Sequence, residues 1–74
     1  MSGRAPSGGL AATIEVTSIT VRRGDIIQIG GRPCRVSDLV QLHAGAKRLL
    51  FETGEALTMH TGSRLIALRM TRER

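Results

Sequence analysis

Three side chains have the chemistry of metal ligands, or of a nucleophile and its base: Cys34, His43 and His60. Metal sites draw on closely spaced ligand pairs, whereas these three are scattered and include a single sulfur. A reactive cysteine needs a base within reach and a third group to orient that base. Cys34 instead shares its parity with Val36 in an apolar pattern, which points it into a core as a small apolar residue. The carboxylates Asp25, Asp38, Glu52 and Glu55 all fall at or near turns. There an aspartate accepts from local backbone amides and a glutamate is solvated, so the pattern suggests no acid–base pair. The glycines match no phosphate-loop fingerprint. The expectation is a protein that is not an enzyme and uses no metal and no cofactor.

Anion recognition is the chemistry that remains. The net charge is +5, and all but one of the eleven basic residues are arginine, whose planar fork matches phosphate and carboxylate. Arg22 and Arg23 fall together on a turn, Arg32 on the next turn, Arg35 outward on a strand, and Lys47 and Arg48 just past a loop tip. In a small barrel alternate turns gather at one end, so these six form the candidate nucleic-acid-binding set. Arg64, Arg69, Arg72 and Arg74 make a second basic group. Phe51 is the only aromatic residue, which leaves no platform on which unpaired bases would stack. Binding to a nucleic acid or ribonucleoprotein would therefore rest on phosphate contacts. The competing expectation is a protein-interaction or regulatory module, a homodimer being one form of it, that uses exposed apolar residues such as Leu50 and Leu65.

A chain of 74 residues has room for one core and one module. Short runs rich in Ile, Val, Leu and Thr alternate with glycine-bearing turns at intervals of about 8 to 12 residues, the spacing of an all-β barrel or sandwich. The first run, Ile14 to Val21, keeps Ile14, Val16, Ile19 and Val21 inside only with a bulge near Thr17 and Ser18. Arg22 to Asp25 then turn the chain into Ile26–Ile29, and Gly30 to Pro33 close a hairpin. Cys34, Val36, Val40 and Leu42 alternate with polar partners up to a loop tip at His43 to Ala46. Leu49 and Phe51, then Leu57 and Met59, then Ile66 and Leu68 supply the inward positions of the later strands. A helix from Ser37 to Phe51 is the rival reading, and would make the fold α+β. It must place Gly45 mid-helix at about 1 kcal/mol.

Residues 1–12 are Gly, Ser, Ala and Pro-rich and are expected to form a flexible tail. The domain is expected over 13–70, with a frayed end at 71–74. No run of eighteen apolar residues and no secretion signal occurs, and the lone thiol suits a reducing compartment, so a cytoplasmic protein without membrane association is expected.

The stretch Ile19 to Val36, ITVRRGDIIQIGGRPCRV, resembles the opening of the N-terminal barrel of the elongation factor P family and related KOW-type, SH3-like translation domains. The shared pattern is strand, Arg-Gly-Asp, strand, Gly-Gly-Arg-Pro, strand, carried by Val21, Gly24, Asp25, Ile27, Ile29, Gly31, Pro33 and Val36. Weaker similarity continues through Val40, Gly45, Leu49, Phe51 and Gly54. The resemblance implies a small five-stranded SH3-like barrel with RNA-binding and ribosome-binding relatives. That family carries a glycine-flanked lysine at the tip of a long loop, and further domains. Here the matching region reads His43, Ala44, Gly45, Ala46, Lys47, Arg48, without the flanking pattern. The family's peptidyl-transfer role and lysine modification are therefore not carried over.

Overall fold

The computed structural model describes residues 9–72. Within them the chain forms β1 (Gly9–Val16), β2 (Ile26–Ile29), β3 (Arg32–Gln41), β4 (Lys47–Phe51), β5 (Ala56–Met59) and β6 (Leu65–Arg72), with one short 3-10 turn at His43–Gly45. The strands join one antiparallel sheet in the order β1-β6-β2-β3-β4-β5. The all-β expectation holds. Every apolar run between turns makes its own strand, so the number is six and not five. The two outer strands, β1 and β5, do not pair with each other, so the sheet is open where a barrel would be closed.

Turn chemistry fixes the hairpins. Between β2 and β3, Ile29 faces Arg32 across a two-residue loop in which Gly30 and Gly31 both have positive φ, at 58° and 81°. That is the backbone a type I′ turn requires, and it matches the twist of the flanking strands. Further along β3 the register slips between Val36 and Asp38. This bulge moves Leu39 toward the core and leaves Val40 outside, in place of the uninterrupted alternation through Val40 and Leu42. The helical reading of Ser37 to Phe51 fails: β3 and β4 pair through Leu39↔Leu49 and Val40↔Arg48, and Gly45, at φ 78°, sits in the loop between them.

One buried cluster draws on all six strands: Val16, Ile27, Cys34, Val36, Leu49, Phe51, Met59 and Ala67, with Val21 added from a loop. The sheet therefore curls around its core while remaining open at its edges. The first apolar run does not keep all four of its residues inside. β1 stops at Val16, and the amides of Thr20 and Val21 both donate to the Thr17 carbonyl, closing a tight turn that throws Ile19 into solvent at 73% exposure. Leu65 and Leu50, expected on the surface, are half-buried.

The largest revision concerns β6, where both parities are apolar. Ala67, not Ile66 or Leu68, is the buried residue, and those two face outward. The boundary also moves: Gly9 to Ala12, expected in the tail, pair with Arg72 to Arg69 as the first half of β1. The remainder of that expected tail, and positions 73 and 74, lie outside the described residues.

Leu49 is fully buried at the centre of this core. Leu49→Ala should lower unfolding free energy by about 2 to 5 kcal/mol, measured by urea denaturation. That is a large share of the total a small domain has.

Candidate anion-binding site

The β1–β6 ribbon pairs over eight residues, but it joins the rest of the sheet through only two pairs, Ile26↔Leu68 and Ile27↔Ala67. Directly beside this joint stand Asp25, which precedes Ile26, and Arg69, which follows Leu68. Arg69 Nε donates to Asp25 Oδ1 at 2.8 Å and Arg69 Nη2 donates to Oδ2 at 2.8 Å, a two-pronged charged contact. The Arg22 amide donates to Asp25 Oδ2 at 2.9 Å, and Arg69 Nη2 also reaches the Thr20 carbonyl at 2.9 Å. Backbone bonds complete the junction, with the Val36 amide donating to the Asp25 carbonyl and the Gly24 amide to the Val36 carbonyl, each at 2.8 Å.

The Asp25 side chain is 2% exposed and that of Arg69 22%. Burial by itself pushes the Asp25 carboxyl up. The hydrogen bonds from Arg69 and from the Arg22 amide, with the charges of both arginines, outweigh it and hold the group below its ordinary range. The same carboxylate raises the pKa of Arg69, against a smaller opposing effect of burial.

Around this pair the surface forms a concavity of about 220 Å³ lined by Arg22, Arg23, Gly24, Asp25, Arg35, Arg69 and Met70. Among the described residues its only acid is Asp25, which is paired with Arg69. Arg22, Arg23 and Arg35 are exposed, and among the described residues none has a carboxylate within salt-bridge distance. The concavity thus carries three arginines without a salt-bridge partner among the described residues on one wall of small volume. Glu52, whose amide donates to the Arg35 carbonyl at 2.9 Å, stands just past β4 beside Arg35 and outside the lining.

Of the six basic residues singled out in the sequence, the structure brings these three together and leaves three elsewhere. Arg32 opens β3 just after the turn, with Nη2 at 3.9 Å from Glu55 Oε2, an exposed pair of little energetic weight. Lys47 and Arg48 lie on β4 opposite Gln41 and Val40, roughly 16 to 20 Å along β3 from Arg35. Of the second basic group, Arg69 is the structural partner of Asp25 and Arg64 is exposed before β6; Arg74 and the Arg72 side chain lie outside the described residues. The role of Arg69 was missed in the sequence. Arg69 shares its parity with Ala67 and is the one charge on the inward side of β6 among the described residues, but with Ile66 and Leu68 taken as inward no local signal marked it.

Cys34 is buried, with Sγ 3.6 Å from the Arg32 carbonyl and from Glu55 Oε1. His43 and His60 line a separate, wide concavity with Gln41, Leu42 and Ala46. Among the described residues no group of three or more His, Cys, Asp or Glu is placed to hold a metal ion, and no helix is long and apolar enough to cross a membrane. Comparison with protein families, with curated proteins and with solved structures finds no match to this chain.

Because Asp25 titrates below its unfolded value of about 3.9, its contribution to stability is complete above that pH and is lost as pH falls through the lower folded-state value. Asp25→Asn should cost about 3 kcal/mol at pH 7, since it leaves a part-buried guanidinium without its counter-charge. The gap between variant and wild type should close across the acid window that opens below about pH 4, as pH falls through the lowered folded-state value, read by chemical denaturation at each pH. A gap that stayed constant across that window would show that the carboxylate charge is not what stabilises the fold.

Proposed function

We propose that this chain is a non-enzymatic binding module that presents arginines to the phosphates of a nucleic acid or ribonucleoprotein. The observation that carries this reading is the convergence of Arg22, Arg23 and Arg35 on one concavity whose single acid among the described residues is already paired with Arg69. Arginine forks bind phosphate oxygens through paired hydrogen bonds, and a wall of three of them raises the local concentration of anions. The resemblance of Ile19–Val36 to the elongation factor P family adds RNA-bearing partners to the reading, and with them an SH3-like barrel as the parent of the curled sheet. A cytoplasmic setting completes it, supported by the single buried thiol. With no aromatic platform, the contact is to backbone and carries little base preference.

A second reading, a protein-interaction module, is favoured by a different observation: Ile66, Leu68 and Met70 all stand exposed along β6. It does not require the arginines to meet nucleic acid.

Affinity for duplex and single-stranded oligonucleotides, followed by anisotropy from low to high salt, separates the two. Phosphate binding by the three arginines predicts a log–log slope of roughly −3 on duplex DNA, reduced by about 1 for each of Arg22→Gln, Arg23→Gln and Arg35→Gln. Arg32→Gln and Arg48→Gln, placed elsewhere, should leave the slope near the wild-type value. Affinity independent of salt would reject the phosphate reading.

A further inference from the structure

The outer face of β6 is an apolar strip with a charged end. Arg69 must turn inward to reach Asp25, and the period of two then sends Ile66, Leu68 and Met70 to the opposite side, at 59%, 37% and 41% exposure. Ile66 to Met70 spans roughly 13 Å along the strand. Cross-strand pairing sets a row across the sheet at the middle of this strip: Thr13 opposite Leu68, Leu68 opposite Ile26, and Ile26 opposite Arg35. Residues directly opposite share a face, so the Arg35 side chain borders the aliphatic groups of Ile26 and Leu68. Thr13, Ile26, Gln28, Pro33, Ile66 and Leu68 line a concavity of about 310 Å³ on this face. Met70, at the other end of the strip, also lines the concavity that holds Arg22, Arg23 and Arg35.

Apolar seat and arginine cluster are therefore one continuous surface. From this geometry we infer that the face docks a segment of another protein, amphipathic and acidic at one end. Its aliphatic side chains cover Ile66, Leu68 and Ile26, and its carboxylates reach Arg22, Arg23 and Arg35. The inference rests on the second reading above and names the partner it takes. Charge selects this occupant over two others. Along β1 and β6 the described residues of a second copy, docked about a two-fold axis, would offer the arginines one carboxylate, the outward Glu15, which pairs with Ile66 at the far end of the strip. Each copy would also bring a net charge of +5. A nucleic acid would satisfy the arginines, but its bases gain little from aliphatic groups that offer no ring to stack on.

The test uses the whole chain and a labelled synthetic peptide with leucines along one face and glutamates at one end. A control peptide has the same composition in scrambled order. The patterned peptide should bind about tenfold or more tighter than the scramble. The double variant Ile66→Thr, Leu68→Thr should lose about tenfold of that affinity, while its thermal midpoint and its affinity for a single-stranded RNA oligonucleotide stay unchanged. Ile66→Thr alone, at the more exposed site, should show the same direction if the double variant is destabilised. Equal binding of the two peptides overturns the proposal. So does a double variant that binds peptide as the wild type does, or one that loses RNA affinity instead. Sedimentation of the wild type as a dimer that the double variant disperses assigns the face to a second copy and also overturns it. If the patterned peptide fails while a scrambled partner still binds through Leu68, protein interaction survives and only the stated chemistry is lost.

Discussion

The fork between Asp25 and Arg69 ties together two parts of the molecule that share a core but little of the sheet. On one side lies the β1–β6 ribbon, and on the other the run of hairpins from β2 to β5. Only two residue pairs link them in the sheet, and the charged contact stands beside those two. An ion pair taken out of water yields little net stability by itself, because desolvation offsets the attraction. Removing either member, however, leaves the other uncompensated, so the arrangement penalises every alternative register in which the two fail to meet. Every donor aimed at the carboxylate comes from a segment whose place is thereby set: the Arg22 amide from the turn and the Arg69 guanidinium from β6, which in turn reaches back to Thr20.

The faces of β6 follow from that constraint. Its sequence could bury either parity, since Leu65 and Ala67 alternate with Ile66, Leu68 and Met70. Hydrophobic burial alone favours the larger set. Orienting Arg69 toward Asp25 chooses the smaller, which accounts for a core with alanine at a central position and aliphatic side chains left in water. The same contact neutralises the one acid in the arginine-lined concavity. A single interaction thus produces the positive wall and the apolar strip beside it.

Much of this was legible in the residues. The glycine pair between β2 and β3 and the inward Ile27, Cys34, Val36, Leu49, Phe51 and Met59 can be read from turn chemistry and period-two alternation, because local backbone preference and burial agree there. The reading fails where a long-range contact decides. No local signal separates the parities of β6, because the deciding partner is Asp25. No local signal places the bulge after Val36, where Ser37 Oγ donates to the Leu50 carbonyl and β4 sets the offset. Candidate charges were found by type and by position on turns. Which of them share a wall depended on strand order, and strand order is not written in any one segment.

That order has a consequence for how the chain assembles. β2 through β5 form a meander in which each strand pairs with its sequence neighbour, so these hairpins need only short loops to close. β1, although first along the chain, pairs with β6 alone, and β6 slots between it and β2. Until β6 is synthesised, the earliest strand has nothing to bond to and Asp25, 44 positions before Arg69, has no counter-ion. The topology therefore divides folding into an early local stage and a late insertion, in which β6 takes the second place in the sheet, between β1 and β2.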